Sequence, residues 1–69
     1  MKISARNRLK GKVVDVTLGA TTAHVRIDIG GGSIVTASIT NEAVKELGLA
    51  VGSDAYAVVK ASDVMVAVD

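Results

Sequence analysis

The fold is decided by residues 23–40, which read AHVRIDIGGGSIVTASIT. Apolar and polar side chains alternate over 23–29, which is the pattern of a strand with one buried and one exposed face. Three glycines follow at 30–32, and a second β-rich segment occupies 33–40. Because glycine adopts the positive φ that tight connections need, the pattern predicts a β-hairpin. A phosphate-binding loop is disfavoured, since the GxxxxGK[ST] spacing is missing and a strand follows instead of a helix.

Further strands flank this hairpin. Imperfect alternation predicts a strand over 12–18, and two nearly continuous apolar runs predict strands over 55–59 and 64–68. A strand that is apolar on both faces is covered on both faces, so we expect a neighbouring subunit to cover the second face of these two. Residues 2–7 could form an added strand or an arm that reaches a partner.

One short helix is predicted between the third and fourth strands. Thr40 or Asn41 can cap its start, and Gly48 ends it after about two turns. Its apolar stripe consists of Ala43, Val44 and Leu47. Five antiparallel strands with a helix after the third are typical of a Greek-key barrel of the OB type. The predicted fold class is therefore all-β with one short helix, as a single domain over residues 1–69.

Size and composition indicate that the chain associates with copies of itself. A chain of 69 residues has a marginal core of its own, and it has no cysteine for a disulfide or a zinc site. Hydrophobic residues make up 49% of it, which is high for so small a domain. No apolar run is long enough to cross a membrane, and no apolar signal segment follows the cationic start. We therefore expect a cytoplasmic homo-oligomer with no membrane partner.

The charges form a local positive patch on a chain that is almost neutral. Net charge is only +1, yet the basic residues concentrate before the first acidic residue, Asp15. Five of the eight basic residues lie in the first twelve positions: Lys2, Arg6, Arg8, Lys10 and Lys12. Single-strand nucleic-acid binding needs a basic groove with stacking aromatics, and the only aromatic residue here is Tyr56. The patch could be a solvated basic strand, and no nucleic-acid partner is expected.

Catalytic constellations are missing from the sequence. The single histidine, His24, shares the polar face of its predicted strand with Arg26 and Asp28, and it has no cysteine or second histidine to help it bind a metal. Nothing in the spacing suggests a nucleophile, base and oxyanion hole. We therefore expect no enzyme activity, no directly ligated metal cation and no cofactor.

Two short polar motifs could converge on an anion: Ser4-Ala5-Arg6-Asn7 and Lys60-Ala61-Ser62. Each offers a cation, a hydroxyl donor and a small alanine that lets backbone N–H groups approach a ligand. The oxygens of a tetrahedral dianion only accept hydrogen bonds, so its site consists of donors and a few positive charges. Asp63 must then point away or bind a backbone amide. On spacing alone, a purely structural role for both motifs stays open.

The stretches around these motifs closely resemble the molbindin family of single-module molybdate-binding proteins. They are SARNRLKGKV at 4–13, GGG at 30–32, TNEA at 40–43, LGL at 47–49 and VKASDVM at 59–65. The resemblance extends over essentially the whole chain. The same transport-associated OB-like module also occurs in molybdate-transporter ATPases and in molybdate-responsive transcription regulators.

The resemblance implies a five-stranded OB-like barrel whose dimers exchange strand contacts and assemble, three at a time, into a hexamer. The implied ligand is molybdate or tungstate, bound at subunit interfaces for intracellular molybdenum storage and homeostasis. The implied ligand residues are Ser4, Ala5 and Arg6 on one side and Lys60, Ala61 and Ser62 on the other, from different subunits. The alternative function is a ligand-sensing module that regulates or scaffolds a molybdate transporter or a molybdenum-cofactor enzyme.

Overall fold

Four strands and one short helix form the fold, and the computed structural model describes all residues, 1–69. The elements are β1 (Asn7–Leu18), β2 (Thr22–Gly30), β3 (Ser33–Thr40), α1 (Asn41–Leu47), β4 (Asp54–Val59) and a short 3-10 helix (Ala61–Asp63). The strands make one antiparallel sheet in the order β3-β2-β1-β4. The predicted fold class, all-β with one short helix and an OB-like arrangement, is confirmed, with four strands in place of five.

The glycine hairpin forms as predicted. β2 ends at Gly30 and β3 begins at Ser33. All three glycines have positive φ, at 94°, 62° and 82°. The carboxylate of Asp28 accepts a hydrogen bond from the Gly30 N–H at 2.8 Å, which helps to close the turn. The local sequence therefore fixes the register of β2 against β3.

A small core lies inside the curl of the sheet. Its six buried residues are Val13, Ala23, Val25, Ile27, Val44 and Ala57. β3 and β4 lie at the two edges of the sheet, so no hydrogen-bonded pairing closes the barrel between them. An apolar groove of about 590 Å³ follows this open side and includes Val35 and Ile39 of β3 and Ala55 of β4. One chain thus leaves much of its apolar surface uncovered.

The helix α1 is fixed by its two caps. Thr40 Oγ1 accepts a hydrogen bond from the Ala43 N–H at 3.0 Å, and Gly48 ends the helix in the left-handed region with φ 62°. Val44 is buried against the sheet, but Leu47 is 68% exposed. The predicted apolar stripe is therefore only partly buried by one chain. None of the helices is long and apolar enough to span a membrane.

Replacing Thr40 by alanine should destabilise the chain by about 1 kcal/mol, because the Ala43 N–H loses its acceptor at the helix start. Serine keeps the hydroxyl, so Thr40→Ser should retain most of the stability. Denaturant unfolding of both variants measures the difference. Equal stability of the two variants would show that this cap contributes nothing.

Strand β1 begins five residues earlier than predicted and contains a bulge. It starts at Asn7, and its pairing with β2 shifts register between Val13 and Asp15. A bulge adds one residue to one strand, so the side chains before and after it change faces. Val13 is buried while Val14 is 42% exposed, and Val16 packs on the core. Alternation over 12–18 predicts Val14, Val16 and Leu18 on one face and Val13 on the other. That prediction is wrong for Val13 and Val16, which both face the core, and the bulge explains the imperfect alternation.

The predicted fifth strand over 64–68 is not present in the single chain. After β4, the 3-10 helix turns the backbone away, and residues 64–69 form no ladder with the sheet. Three of the side chains there are almost fully exposed, with Met65 at 94%, Val66 at 89% and Val68 at 93%. A strand needs a hydrogen-bonding neighbour, and this segment pairs with neither of the two edge strands of its own chain. Residues 1–6 likewise form no strand.

Candidate functional site

The pairing of β1 with β4 brings the two polar motifs together. These strands are antiparallel, and Asn7, the first residue of β1, is the register partner of Val59, the last residue of β4. Asn7 Nδ2 donates a hydrogen bond to the Val59 carbonyl oxygen at 3.2 Å. The first motif ends at the start of β1 and the second begins where β4 ends, so both lie at the same end of the sheet.

An open cavity of about 610 Å³ lies between the two motifs. Its lining residues are Ser4, Ala5, Arg6, Val58, Lys60, Ala61, Ser62 and Asp63. All six residues that the sequence singled out line this one cavity, and one chain supplies all of them. Different subunits are therefore not needed for the motifs to meet.

The cavity offers several hydrogen-bond donors that the chain itself does not use. The 3-10 helix pairs the Asp63 N–H with the Lys60 carbonyl oxygen at 2.9 Å. The first N–H groups of such a helix have no acceptor within it, so those of Ala61 and Ser62 can donate to a ligand. The hydroxyls of Ser4 and Ser62 take part in none of the side-chain hydrogen bonds.

Two cations and one carboxylate set the charge of the cavity. Arg6 and Lys60 line it and are exposed, and neither forms a salt bridge, since the only salt bridge joins Lys12 to Asp54. Asp63 also lines the cavity, and its carboxylate accepts no hydrogen bond from a backbone amide. No backbone amide therefore binds this carboxylate, and the expectation that Asp63 points away from the ligand stays a prediction. The cavity therefore carries a net charge of about +1.

The arrangement of side chains gives little support for a metal site or for a role of His24. His24 is exposed on the outer face of β2, where its register partners are Thr17 and Ser38. No group of three or more histidine, cysteine or carboxylate side chains lies close enough to hold a metal ion. The cavity between the motifs is therefore the candidate site, and its donors suit an anion.

Sequence reasoning missed two features of this site. Val58 and Asp63 line the cavity although neither was assigned to it, and both motifs come from one chain. In the sequence only the second motif directly follows a predicted strand, 55–59; the first motif adjoins β1 only because that strand begins at Asn7. Pairing of the first strand with the last could have revealed the cavity, but strand order is not encoded in local patterns.

A family model, that of the TOBE domain, matches residues 3–66, which include both polar motifs of the site. The chain belongs to the TOBE domain family. The resemblance to the molbindin family is thereby confirmed, because the similar proteins carry the names of molybdenum-pterin-binding or molybdate-binding proteins.

Relatives match this TOBE domain over nearly all of its length. A probable molybdenum-pterin-binding protein of Haemophilus influenzae is 56% identical over 69 residues, which is 100% of both chains. The solved structure of a molybdate-binding protein from Sporomusa ovata superimposes with a TM-score of 0.90 at 36% identity, covering 97% of this chain and 98% of that one. The cytoplasmic molybdate-binding protein ModG, solved with molybdate bound, gives the same TM-score at 46% identity, covering 94% of this chain and 46% of that one.

Proposed function

We propose that this TOBE domain binds molybdate, or the equally shaped tungstate, in the cavity between its two polar motifs. The observation that carries the proposal is that Arg6 and Lys60 line one cavity together with hydroxyl and backbone donors. The role is intracellular storage and homeostasis of molybdenum in the cytoplasm, and the domain is a binding protein without catalytic activity. Relatives named for molybdate binding, one of them described as cytoplasmic, support this assignment.

The chemistry of the cavity matches the needs of a tetrahedral dianion. Its four oxygens are acceptors only, and removing it from water is costly unless donors replace its hydration. Arg6 supplies a planar fork of N–H donors and Lys60 supplies a compact ammonium group. Hydrogen bonds from charged donors to an anion are about twice as strong as neutral ones, so these two residues hold the ligand and the hydroxyls orient it.

Isothermal titration calorimetry of the purified protein with molybdate tests the proposal. We expect saturable binding at micromolar concentration, with tungstate competing for the same sites. Sulfate has the same charge and shape but is smaller, so its titration measures how far the distances in the cavity select for size. No saturable heat and no retained molybdate after gel filtration would contradict the proposed function.

We propose that the site lies at an interface between subunits. The subunits form a homo-oligomer, a hexamer that consists of three dimers. The cavity, of about 610 Å³, is open and far larger than one oxyanion, so it leaves room for a second copy to narrow it around the ligand. Residues 64–68, whose apolar side chains are exposed in one chain, directly follow the cavity residue Asp63. The apolar groove between β3 and β4 offers a complementary surface on a second copy. Exchange of residues 64–68 between copies covers their apolar side chains and the groove of the second copy. It also supplies the missing fifth strand.

Replacing Val66 by aspartate tests this assembly. Val66 is 89% exposed in the single chain, so a charge there costs the monomer little, whereas burial at an interface would make it strongly unfavourable. We expect native mass spectrometry to show hexamers for the unchanged chain and smaller species for Val66→Asp. Val51→Asp is the matched control, since Val51 is 68% exposed and lies outside residues 64–68. Equal masses for both variants would contradict the exchange.

Replacing Asp63 by asparagine should tighten molybdate binding. A carboxylate about 6 Å from a dianion in water opposes it by about 1.4 kcal/mol, which corresponds to roughly tenfold in affinity. Asp63 lines the cavity and its carboxylate has no partner, so asparagine removes the repulsion without breaking a contact. Calorimetric titration measures the change. Weaker binding by Asp63→Asn would show instead that this carboxylate helps to hold the site together.

A further inference from the structure

A row of basic side chains on the outer face of β1 leads toward the cavity. Alternation along β1 places Leu9, Gly11 and the buried Val13 toward the core. The residues that alternate with them face outward, and they are Arg8, Lys10 and Lys12. Because successive residues on one face of a strand are about 7 Å apart, these three form a regular row.

The register with β4 connects this row to the site. Arg8 is the partner of Val58, which lines the cavity, and opposed residues of paired strands face the same side. Arg8 itself is not among the lining residues, and the row continues away from the cavity to Lys10. Arg8 and Lys10 therefore lie beside the site without forming part of it.

Only Lys12, at the end of the row farthest from the cavity, has its charge neutralised by a carboxylate. Lys12 Nζ lies 2.8 Å from the Asp54 carboxylate. That hydrogen bond and the charge of Lys12, with a smaller contribution from Lys10, hold the pKa of Asp54 below its ordinary value. Arg8 and Lys10 have no carboxylate partner and no side-chain hydrogen bond. Two positive charges without a salt-bridge partner thus remain on the side nearer the cavity.

We propose that Arg8 and Lys10 attract the oxyanion toward the cavity through their long-range field, without contacting it when it is bound. The inference rests on the proposed function and adds a role for residues outside the site. A unit charge about 10 Å from a dianion in water attracts it enough to change affinity by roughly fourfold before screening. The effect is graded, since Lys10 lies about 7 Å farther along the row than Arg8.

Salt dependence separates attraction at a distance from direct contact. Molybdate is titrated calorimetrically into Arg8→Gln and Lys10→Gln at ionic strengths of about 20 mM and about 500 mM, where the Debye length is about 20 Å and about 4 Å. At low salt, Arg8→Gln should weaken binding about two- to fourfold and Lys10→Gln should weaken it less. At high salt, both variants should bind like the unchanged chain.

Lys45→Gln is the matched control, because it removes one positive charge from α1, which packs on β2 and β3. If Arg8→Gln and Lys45→Gln bind equally at low salt, the inference is wrong. If the loss in Arg8→Gln persists at high salt, Arg8 contacts the anion and the inference is also wrong. Absence of binding by the unchanged chain at both salts would instead contradict the proposed function itself.

Discussion

Replacing Lys60 by methionine is expected to weaken molybdate binding by roughly 10- to 150-fold. A hydrogen bond from a charged donor contributes about 1.5 to 3 kcal/mol, and a desolvated dianion would lose one here. Methionine keeps the length and the apolar stem of the side chain, so the loss isolates the ammonium group. Lys60 is exposed and forms no intramolecular ion pair, so thermal unfolding of the unliganded protein should not change.

The control for this prediction is Lys45→Met, which makes the same chemical change on α1, away from the cavity lining. Calorimetry should give an affinity close to that of the unchanged chain. If Lys60→Met binds molybdate as tightly as Lys45→Met does, Lys60 is not a ligand and the site is wrongly placed. A lowered melting temperature of unliganded Lys60→Met would indicate a structural role for this residue.

Replacing Gly11 by alanine is expected to destabilise the fold by about 3 kcal/mol. A methyl group on Gly11 would overlap the backbone carbonyl oxygen of Asp28 and crowd the side chain of Ile27. Overpacking costs about 1 to 3 kcal/mol, and a backbone atom held in the sheet yields less than a side chain does. The entropic gain of glycine to alanine in the unfolded chain is only about 0.4 to 1 kcal/mol, so the clash outweighs it.

Thermal unfolding measures this effect, which should lower the melting temperature by roughly 10 to 20 °C for a domain of this size. Ser38→Thr is the matched control, because it adds one methyl group at an exposed position of β3. We expect the control to melt within a few degrees of the unchanged chain. An unchanged melting temperature for Gly11→Ala would mean that β1 does not approach β2 as closely as the structure shows.

Features encoded by neighbouring residues were predictable. Positive φ at Gly30 to Gly32 requires glycine, so the hairpin follows from three letters of sequence. The hydroxyl of Thr40 and the left-handed Gly48 likewise mark the two ends of α1. In these cases a side chain or a backbone preference acts on residues only a few positions away, so the feature can be recognised from neighbouring residues in the sequence.

Features that depend on distant partners were not predictable. The bulge between Val13 and Asp15 and the pairing of Asn7 with Val59 involve residues far apart in the chain. That pairing is what places both polar motifs around one cavity. The apolar run over 64–68 has a strand sequence but no strand partner within one chain, so its pattern indicated burial without showing what would cover it.

The most direct measurement is an anomalous difference map from a crystal of the protein grown with tungstate, whose tungsten atom scatters strongly near its absorption edge. The proposal predicts a peak in the cavity, within hydrogen-bonding distance of both Arg6 and Lys60 once the tungstate oxygens are placed. A peak elsewhere with an empty cavity, or no peak at saturating tungstate, would contradict the claim that these two ends of the chain hold a tetrahedral dianion.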